Sequence, residues 1–178
     1  ITSQENSPWG LSFNSNGTKM FMTGTTSDEI HQYSLTNGFS LAAGNVTYDN
    51  ISFDVSSQDP TSIGVTFSPD GNKMFIVGYD TDRIYQYSLT NSFSMASGNV
   101  TYDNISFDVS SQELAALCVE FNTDGTKMFV LGRQNDAIFQ YSLTTGFNIS
   151  SASYDNISFS ITSQENSPWG LSFNSNGT

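Results

Sequence analysis

Residues 63–78 read IGVTFSPDGNKMFIVG, two short runs of β-branched and aromatic residues on either side of Ser68-Pro69-Asp70-Gly71. Such side chains suit strands, and Asp-Gly supplies the positive φ values of a tight turn, so the stretch predicts a β-hairpin. The pattern returns as WGLSFNSNGTKMFMTG at 9–24 and as LCVEFNTDGTKMFVLG at 117–132, and it begins again at Trp169. Phe13, Phe67, Phe121 and Phe173 hold one register, at successive periods of 54, 54 and 52 residues. Self-similarity at that spacing marks a repeat architecture.

Outward from the hairpin, each repeat carries two further strand-like runs. The third is EIHQYSLT, RIYQYSLT or AIFQYSLT, and the fourth is NVTYDNISFDV twice and then SASYDNISFSI. No apolar period of 3.6 persists, and ELAALCVEF, the run nearest to it, aligns with strands in its siblings. The expectation is an all-β chain of three propeller-like blades, each of four antiparallel strands, plus the start of a fourth. The repeats span 1–54, 55–108 and 109–160, and residues 161–178 copy residues 1–18 letter for letter. The larger period is thus 160 residues, and the chain reads as a window on a longer array of nearly identical units. Two such triplets closing a six-bladed ring and an open superhelical stack of blades are both compatible with this pattern.

The stretch FSPDGNKMFIVG followed by DRIYQYSL resembles the blades of bacterial propeller proteins of the YVTN, TolB-like and lactonase-like group. The resemblance covers all three repeats. Only the middle one has the full Ser-Pro-Asp-Gly turn: Ser15 and Asn16 replace Pro69 and Asp70 in the first, and Thr123 replaces the proline in the third. It implies the propeller fold but little about function, because propellers host hydrolases, binding platforms and scaffolds alike.

Composition narrows the partners. A net charge of −12 with 5 Lys and Arg disfavours nucleic acid and anionic lipid. No apolar run approaches the roughly 18 residues of a membrane helix. Within a repeat, a catalytic residue should stand out as a departure from its siblings. His31, the single histidine, sits where the siblings have Tyr85 and Phe139, which favours an aromatic-sized packing position. Cys118 replaces Gly10 and Gly64 between Leu117 and Val119, which favours a small buried thiol. Asp28, Asp82 and Asp136 recur before the third strand, where an Asx turn suffices, and Lys19, Lys73 and Lys127 recur as surface lysines after the hairpin turn. Asp80 with Asp82, or Asp70 with Asn72, could offer oxygens to calcium, but no full calcium-loop spacing is present. No catalytic residue, cofactor or metal is therefore expected, and the chain is expected not to be an enzyme.

Asn-x-Ser/Thr acceptors occur at Asn16, Asn45, Asn50, Asn99, Asn104, Asn148, Asn156 and Asn176. YDNIS places Asn50, Asn104 and Asn156 at one register of the fourth strand, the outer edge of a propeller blade, where bulk prevents edge-to-edge pairing. Period-2 alternation would set Asn50 on the face shared with Val46, Tyr48 and Ser52. Asn50, Asn104 and Asn156 are the leading glycan sites on this reading, with Asn45, Asn99 and Asn148 secondary. The function expected is a structural unit of an extracellular, glycosylated surface fibre, stalk or adhesin whose partners are its own neighbouring units, end to end, and covalent glycans. The alternative is a ligand-binding or hydrolytic propeller of the lactonase-like group, which polar residues breaking the repeat and converging on the axis would favour.

Overall fold

The structure is a computed structural model and describes residues 4–174. Three separate sheets of four antiparallel strands follow one another along the chain. Blade 1 contains β1 (Pro8–Phe13), β2 (Lys19–Gly24), β3 (Glu29–Leu35) and β4 (Val46–Asp54). Blade 2 contains β5 (Ser62–Phe67), β6 (Lys73–Gly78), β7 (Arg83–Leu89) and β8 (Val100–Asp108). Blade 3 contains β9 (Ala116–Phe121), β10 (Lys127–Gly132), β11 (Ala137–Leu143) and β12 (Ala152–Ser160). The strands of each sheet lie in sequence order, and the first strands pack side by side, β1 on β5 and β5 on β9. First strands therefore converge on an axis and fourth strands form the outer edges. Residues 161–174 continue past blade 3 and bring Phe173 to within 4.7 Å of Phe129, the start of a fourth blade. This is the all-β propeller-blade architecture. Among the described residues the only helical element is a 3-10 turn at Ile149–Ser151, and no helix is long and apolar enough to cross a membrane.

Equal spacing gives equal environments. Met20, Met74 and Met128 are buried, as are Tyr33, Tyr87 and Tyr141. Each of these tyrosines packs on a fourth-strand tyrosine, at 5.2 Å for Tyr48, 5.4 Å for Tyr102 and 5.4 Å for Tyr154. Between blades, Phe21 meets Phe67 at 4.5 Å and Phe75 meets Phe121 at 4.4 Å, so each interface includes an aromatic contact near the axis. Gly10 and Gly64 permit that closeness: a Cβ on Gly10 would stand 2.7 Å from Ile63 O, and one on Gly64 2.9 Å from Leu117 O.

Two local expectations differ from what is found. The Asn-Gly and Asp-Gly turns are not two-residue hairpins with paired positive φ values. Only Gly17, Gly71 and Gly125 are left-handed, each at φ 71°, and each N–H closes a turn on the carbonyl three residues earlier. The preceding Asn16, Asp70 or Asp124 instead accepts the N–H two residues ahead through its side chain, at 3.1, 3.1 and 3.0 Å. A four-residue loop needs one left-handed position, not two. The second difference is in the fourth strands. In β4, Tyr33 faces Tyr48 and Gln32 faces Ile51, so Asp49 and Asn50 bulge out of the ladder, and β8 and β12 repeat this at Asp103-Asn104 and Asp155-Asn156. Asn50, Asn104 and Asn156 adopt φ values of 55°, 57° and 58°, which ends the simple period-2 alternation.

The bulge aims its aspartate back across the blade. Asp103 accepts from Lys73 Nζ at 2.7 Å, Gln86 Nε2 at 2.7 Å and Ser88 Oγ at 2.6 Å, linking β6, β7 and β8. Asp155 does the same with Lys127, Gln140 and Ser142, and Asp49 with Lys19 and Gln32. The recurring lysines are thus ion-paired at 2.7 to 2.8 Å, not plain surface residues. A second carboxylate, in the loop entering each blade, is buried: Glu5, Asp59 and Glu113 accept backbone N–H groups of the blade's second turn from Thr26 and Ser27, from Thr81, and from Gln134 and Asn135. Glu5 is held down to about 2; burial pushes it up, and the bonds from Ser7, Ser27 and Thr26 outweigh that.

Partial burial pushes the bulge carboxyls up as well, yet their hydrogen bonds hold Asp49 and Asp103 below the usual range and Asp155 at about 2. A depressed carboxyl stabilises the fold above its unfolded value near about 4 and loses that contribution as pH falls through the folded value. Stability should therefore drop between about pH 4 and pH 2. At pH 7, Asp103→Ala should cost about 2 kcal/mol by urea titration, since it strands a charge-assisted network. Asp108→Ala removes an exposed pair with Arg83 and should cost under about 1 kcal/mol.

Candidate functional site

The axis is where a departure from the repeat matters, because there the blades face one another through their first strands. Ser12, Thr66 and Glu120 hold the same position on β1, β5 and β9, and they line a common hollow at the hairpin-turn end of those strands. Glu120 also lines an adjoining cleft of about 450 Å3 whose apolar walls are Phe67, Pro69, Phe121, Phe147 and Phe173. Its side chain forms no hydrogen bond or ion pair with a described residue. Desolvation by these walls pushes its carboxyl up to about 7. A carboxyl poised near neutrality in a cleft is equipped to take and return a proton. Glu120 stands where its siblings have Ser12, Thr66 and Ser172, so comparing the repeats position by position would have found it; attention to His31 and Cys118 alone did not.

Cys118 lies two residues earlier on the same face of β9. Its thiol is half-buried, donates to Leu171 O at 3.6 Å and is pushed up to about 11, chiefly by desolvation. It stays protonated at neutral pH. It occupies the space that Gly10 and Gly64 leave to the next blade's first strand. His31 is buried between Ser27 Oγ, 3.1 Å from Nε2, and Tyr48 Oη, 3.4 Å from Nδ1. Tyr85, its sibling, reaches Thr81 Oγ1 at 2.9 Å in the same way. Neither His31 nor Cys118 borders the Glu120 cleft.

At the opposite end of the first strands, Trp9, Ile63, Leu117 and Trp169 close around the axis. The two indoles approach to 4.5 Å, and Arg133 lies 5.2 Å over the Trp169 ring. Arg133 again departs from its siblings, Thr25 and Tyr79. With them these side chains border a hollow of about 280 Å3 that offers stacking faces and one guanidinium. Among the described residues no three His, Cys, Asp or Glu side chains gather as a metal centre.

The asparagines separate into two environments. Asn50, Asn104 and Asn156 are exposed at the bulges of the outer strands, and their amides make no hydrogen bond to a described residue. Asn45 and Asn99 are buried: Asn45 Nδ2 donates to Asn37 O and Ser40 O, and Asn99 Nδ2 to Asn91 O and Ser94 O. The nitrogen that a glycan would occupy is enclosed there. Asn148 is half-buried and caps the 3-10 turn by accepting from Ser150 N at 3.2 Å. Asn16 accepts from Thr18, and Asn176 lies outside the described residues.

No protein-family model matches the chain, and no curated protein matches it in sequence. Similarity is found among solved structures. A provisionally assigned 6-phosphogluconolactonase from Bacteroides uniformis ATCC 8492 superposes with a TM-score of 0.58 at 12% identity, over 83% of this chain and 39% of that one. The periplasmic gluconolactonase PpgL of Pseudomonas aeruginosa gives 0.54 at 14% identity, over 79% and 37%. The β-propeller domain of Cps50 (Swd1) from Myceliophteria thermophila gives 0.50 at 12% identity, over 76% and 39%. The chain thus spans about two fifths of the length of these structures. At such identities the likeness carries the fold, and the fold is the β-propeller. The expectation that the chain is not an enzyme is corrected here: structures named as lactonases share this fold, so the fold gives no ground for excluding hydrolysis.

Proposed function

We propose that the chain belongs to a ligand-binding or hydrolytic propeller of the lactonase-like kind, with Glu120 as its acid–base group. The observation that carries this reading is the carboxyl pushed up to about 7 in a cleft of about 450 Å3, adjoining a hollow that Glu120 lines with Ser12 and Thr66. In lactone hydrolysis the Glu120 carboxylate takes a proton from water as its oxygen bonds to the ring carbonyl. The same carboxyl returns the proton to the ring oxygen as the C–O bond breaks. A neutral hydroxyl nearby can donate to the carbonyl oxygen as charge develops on it. The likeness to lactonase structures makes sugar lactones the first substrates to try.

The test is hydrolysis of glucono-1,5-lactone and its 6-phosphate, followed against the uncatalysed rate. Turnover should rise with pH through about 7, as the base form of Glu120 accumulates. Glu120→Gln should lower kcat/KM by about 100-fold or more. A readout besides activity follows from linkage. A raised carboxyl binds its proton more tightly in the folded state, so stability falls as pH climbs from about 4 toward 7. Glu120→Gln should flatten that decline between pH 5 and pH 8. Wild-type rates equal to the background, or full activity in Glu120→Gln, would refute the assignment.

A second reading, a glycosylated extracellular array, is favoured by the three exposed asparagines at equivalent bulges. On this reading Asn50, Asn104 and Asn156 carry sugars, and Asn45 and Asn99 do not, because their amides are enclosed. Intact-glycopeptide mass spectrometry of protein from its natural source should find modified YDNIS peptides and unmodified peptides at Asn45 and Asn99. Unmodified YDNIS peptides throughout would end this reading.

A further inference from the structure

The two end faces of the three-blade stack are halves of a seam that the molecule already contains twice. Between blades 1 and 2, Gln32 Oε1 accepts from Met95 N at 2.8 Å; between blades 2 and 3, Gln86 Oε1 accepts from Ile149 N at 3.0 Å. Met95 and Ile149 are 1% and 0% exposed at these seams. Phe53 stands edge-on to Tyr87 at 5.7 Å, and Phe107 to Tyr141 at 5.4 Å. Tyr87 Oη donates to Gln58 Oε1 at 2.9 Å and Tyr141 Oη to Gln112 Oε1 at 3.2 Å.

On the outward face of blade 1, Leu41 is the counterpart of Met95 and Ile149, yet it is 66% exposed. Leu11 and Phe39 are exposed with it, and Tyr33 Oη is buried without a partner among the described residues. On the outward face of blade 3, Phe159, the counterpart of Phe53 and Phe107, is 64% exposed, with Ile157 beside it. Gln140 donates to Asp155, but its Oε1 accepts from no described group. The turn at 161–165 makes the same backbone bonds as 55–59 and 109–113. It presents Glu165, which among the described residues meets only Ser167 N, whereas Asp59 and Glu113 also hold the second turn of the blade that follows. Leu41 and the Tyr33 hydroxyl on one face are thus the complements of Gln140 Oε1 and Phe159 on the other.

We propose that a second copy of this chain docks head to tail, the blade 1 face of one copy on the blade 3 face of its partner. In this seam Leu41 N–H reaches Gln140 Oε1 and Phe159 meets Tyr33 edge-on. Gln164 takes Tyr33 Oη, and Glu165, which has the place of Glu5 in the next unit, takes over from Glu5 the N–H groups of Thr26 and Ser27. Residues 161–178 of the first copy have the letters of residues 1–18, so they can exchange with the second copy's own β1 against β2 without changing one side chain. The contact is heterologous, so it closes into a ring or propagates. Two copies supply six blades, within the range of about 4 to 8 that closes. The inference is independent of the role given to Glu120, since its readout is mass and not turnover.

The test is sedimentation equilibrium of the full chain with two single variants, Leu41→Asp and Phe159→Asp, and Leu114→Asp as a control at an exposed site in the loop between blades 2 and 3. Circular dichroism confirms that each variant is folded. Wild type and Leu114→Asp should sediment as two copies or more. Each seam variant should weaken association by at least about tenfold, because it buries an unpaired charge. Mixed in equal amounts, the seam variants should regain a 1:1 dimer, since Leu41→Asp keeps an intact blade 3 face and Phe159→Asp an intact blade 1 face. A wild type that stays monomeric at all concentrations would overturn the proposal, as would seam variants that associate like wild type or a mixture that stays monomeric.

Discussion

The glutamine in the middle of the third strands of blades 1 and 2 holds the structure together in two directions. Its Nε2 donates to the bulge aspartate of its own blade, as Gln86 does to Asp103 at 2.7 Å, and its Oε1 accepts a backbone N–H from the next blade, as Gln32 does from Met95 and Gln86 from Ile149. An amide has both a donor end and an acceptor end, which a carboxylate or an ammonium lacks, so it can join two networks that each need the opposite partner. The aspartate it meets is fixed in turn by a lysine from the second strand. The result is continuous from one blade's second strand to the next blade's loop. Because the groups are largely removed from water, leaving any one unpaired costs more than the pair gains, and the seam forms as a unit.

Why the bulge exists follows from that network. A regular strand would turn successive side chains to opposite faces and could not place Asp103 over Gln86 while Ile105 still faces Gln86 across the ladder. Two residues outside the ladder, one of them left-handed, solve the geometry. Asparagine tolerates that conformation better than most residues, which gives Asn50, Asn104 and Asn156 a backbone reason for being where they are. Phe39, Phe93 and Phe147 are also left-handed, and each ring lies over the hairpin glycine of its own blade, where a Cβ would strike it.

The sequence made the blades legible because equal spacing preserves the face each side chain takes, so Phe67, Met74 and Tyr87 and their counterparts could be placed without coordinates. It hid whatever depends on a long-range partner. Lys73 looked like a surface residue because Asp103 lies 30 positions away, and nothing marked Asp59 because its donor Thr81 lies 22 positions away. The turn type escaped for a different reason: Asp-Gly fits both a two-residue hairpin and a four-residue loop, and only strand register decides between them. Glu120 was hidden by an assumption about residue type. Histidine and cysteine draw attention as reactive groups, but a carboxyl becomes reactive through desolvation, which only packing reveals.

That desolvation has a source. Glu120 sits on β9, and one wall of its cleft is Phe173, with Asn174 beside it, from the segment that begins the next blade. Burial alone raises this carboxyl, with no neighbouring charge among the causes. Its acidity therefore depends on how closely that following segment covers the blade 3 face, the same face that carries Ile157 and Phe159 uncovered further out. Each added blade completes a seam, and it also dries one more wall around the axis. At this position the third repeat carries a carboxyl where its siblings carry hydroxyls, and what raises that carboxyl is the packing around it and not a neighbouring charge.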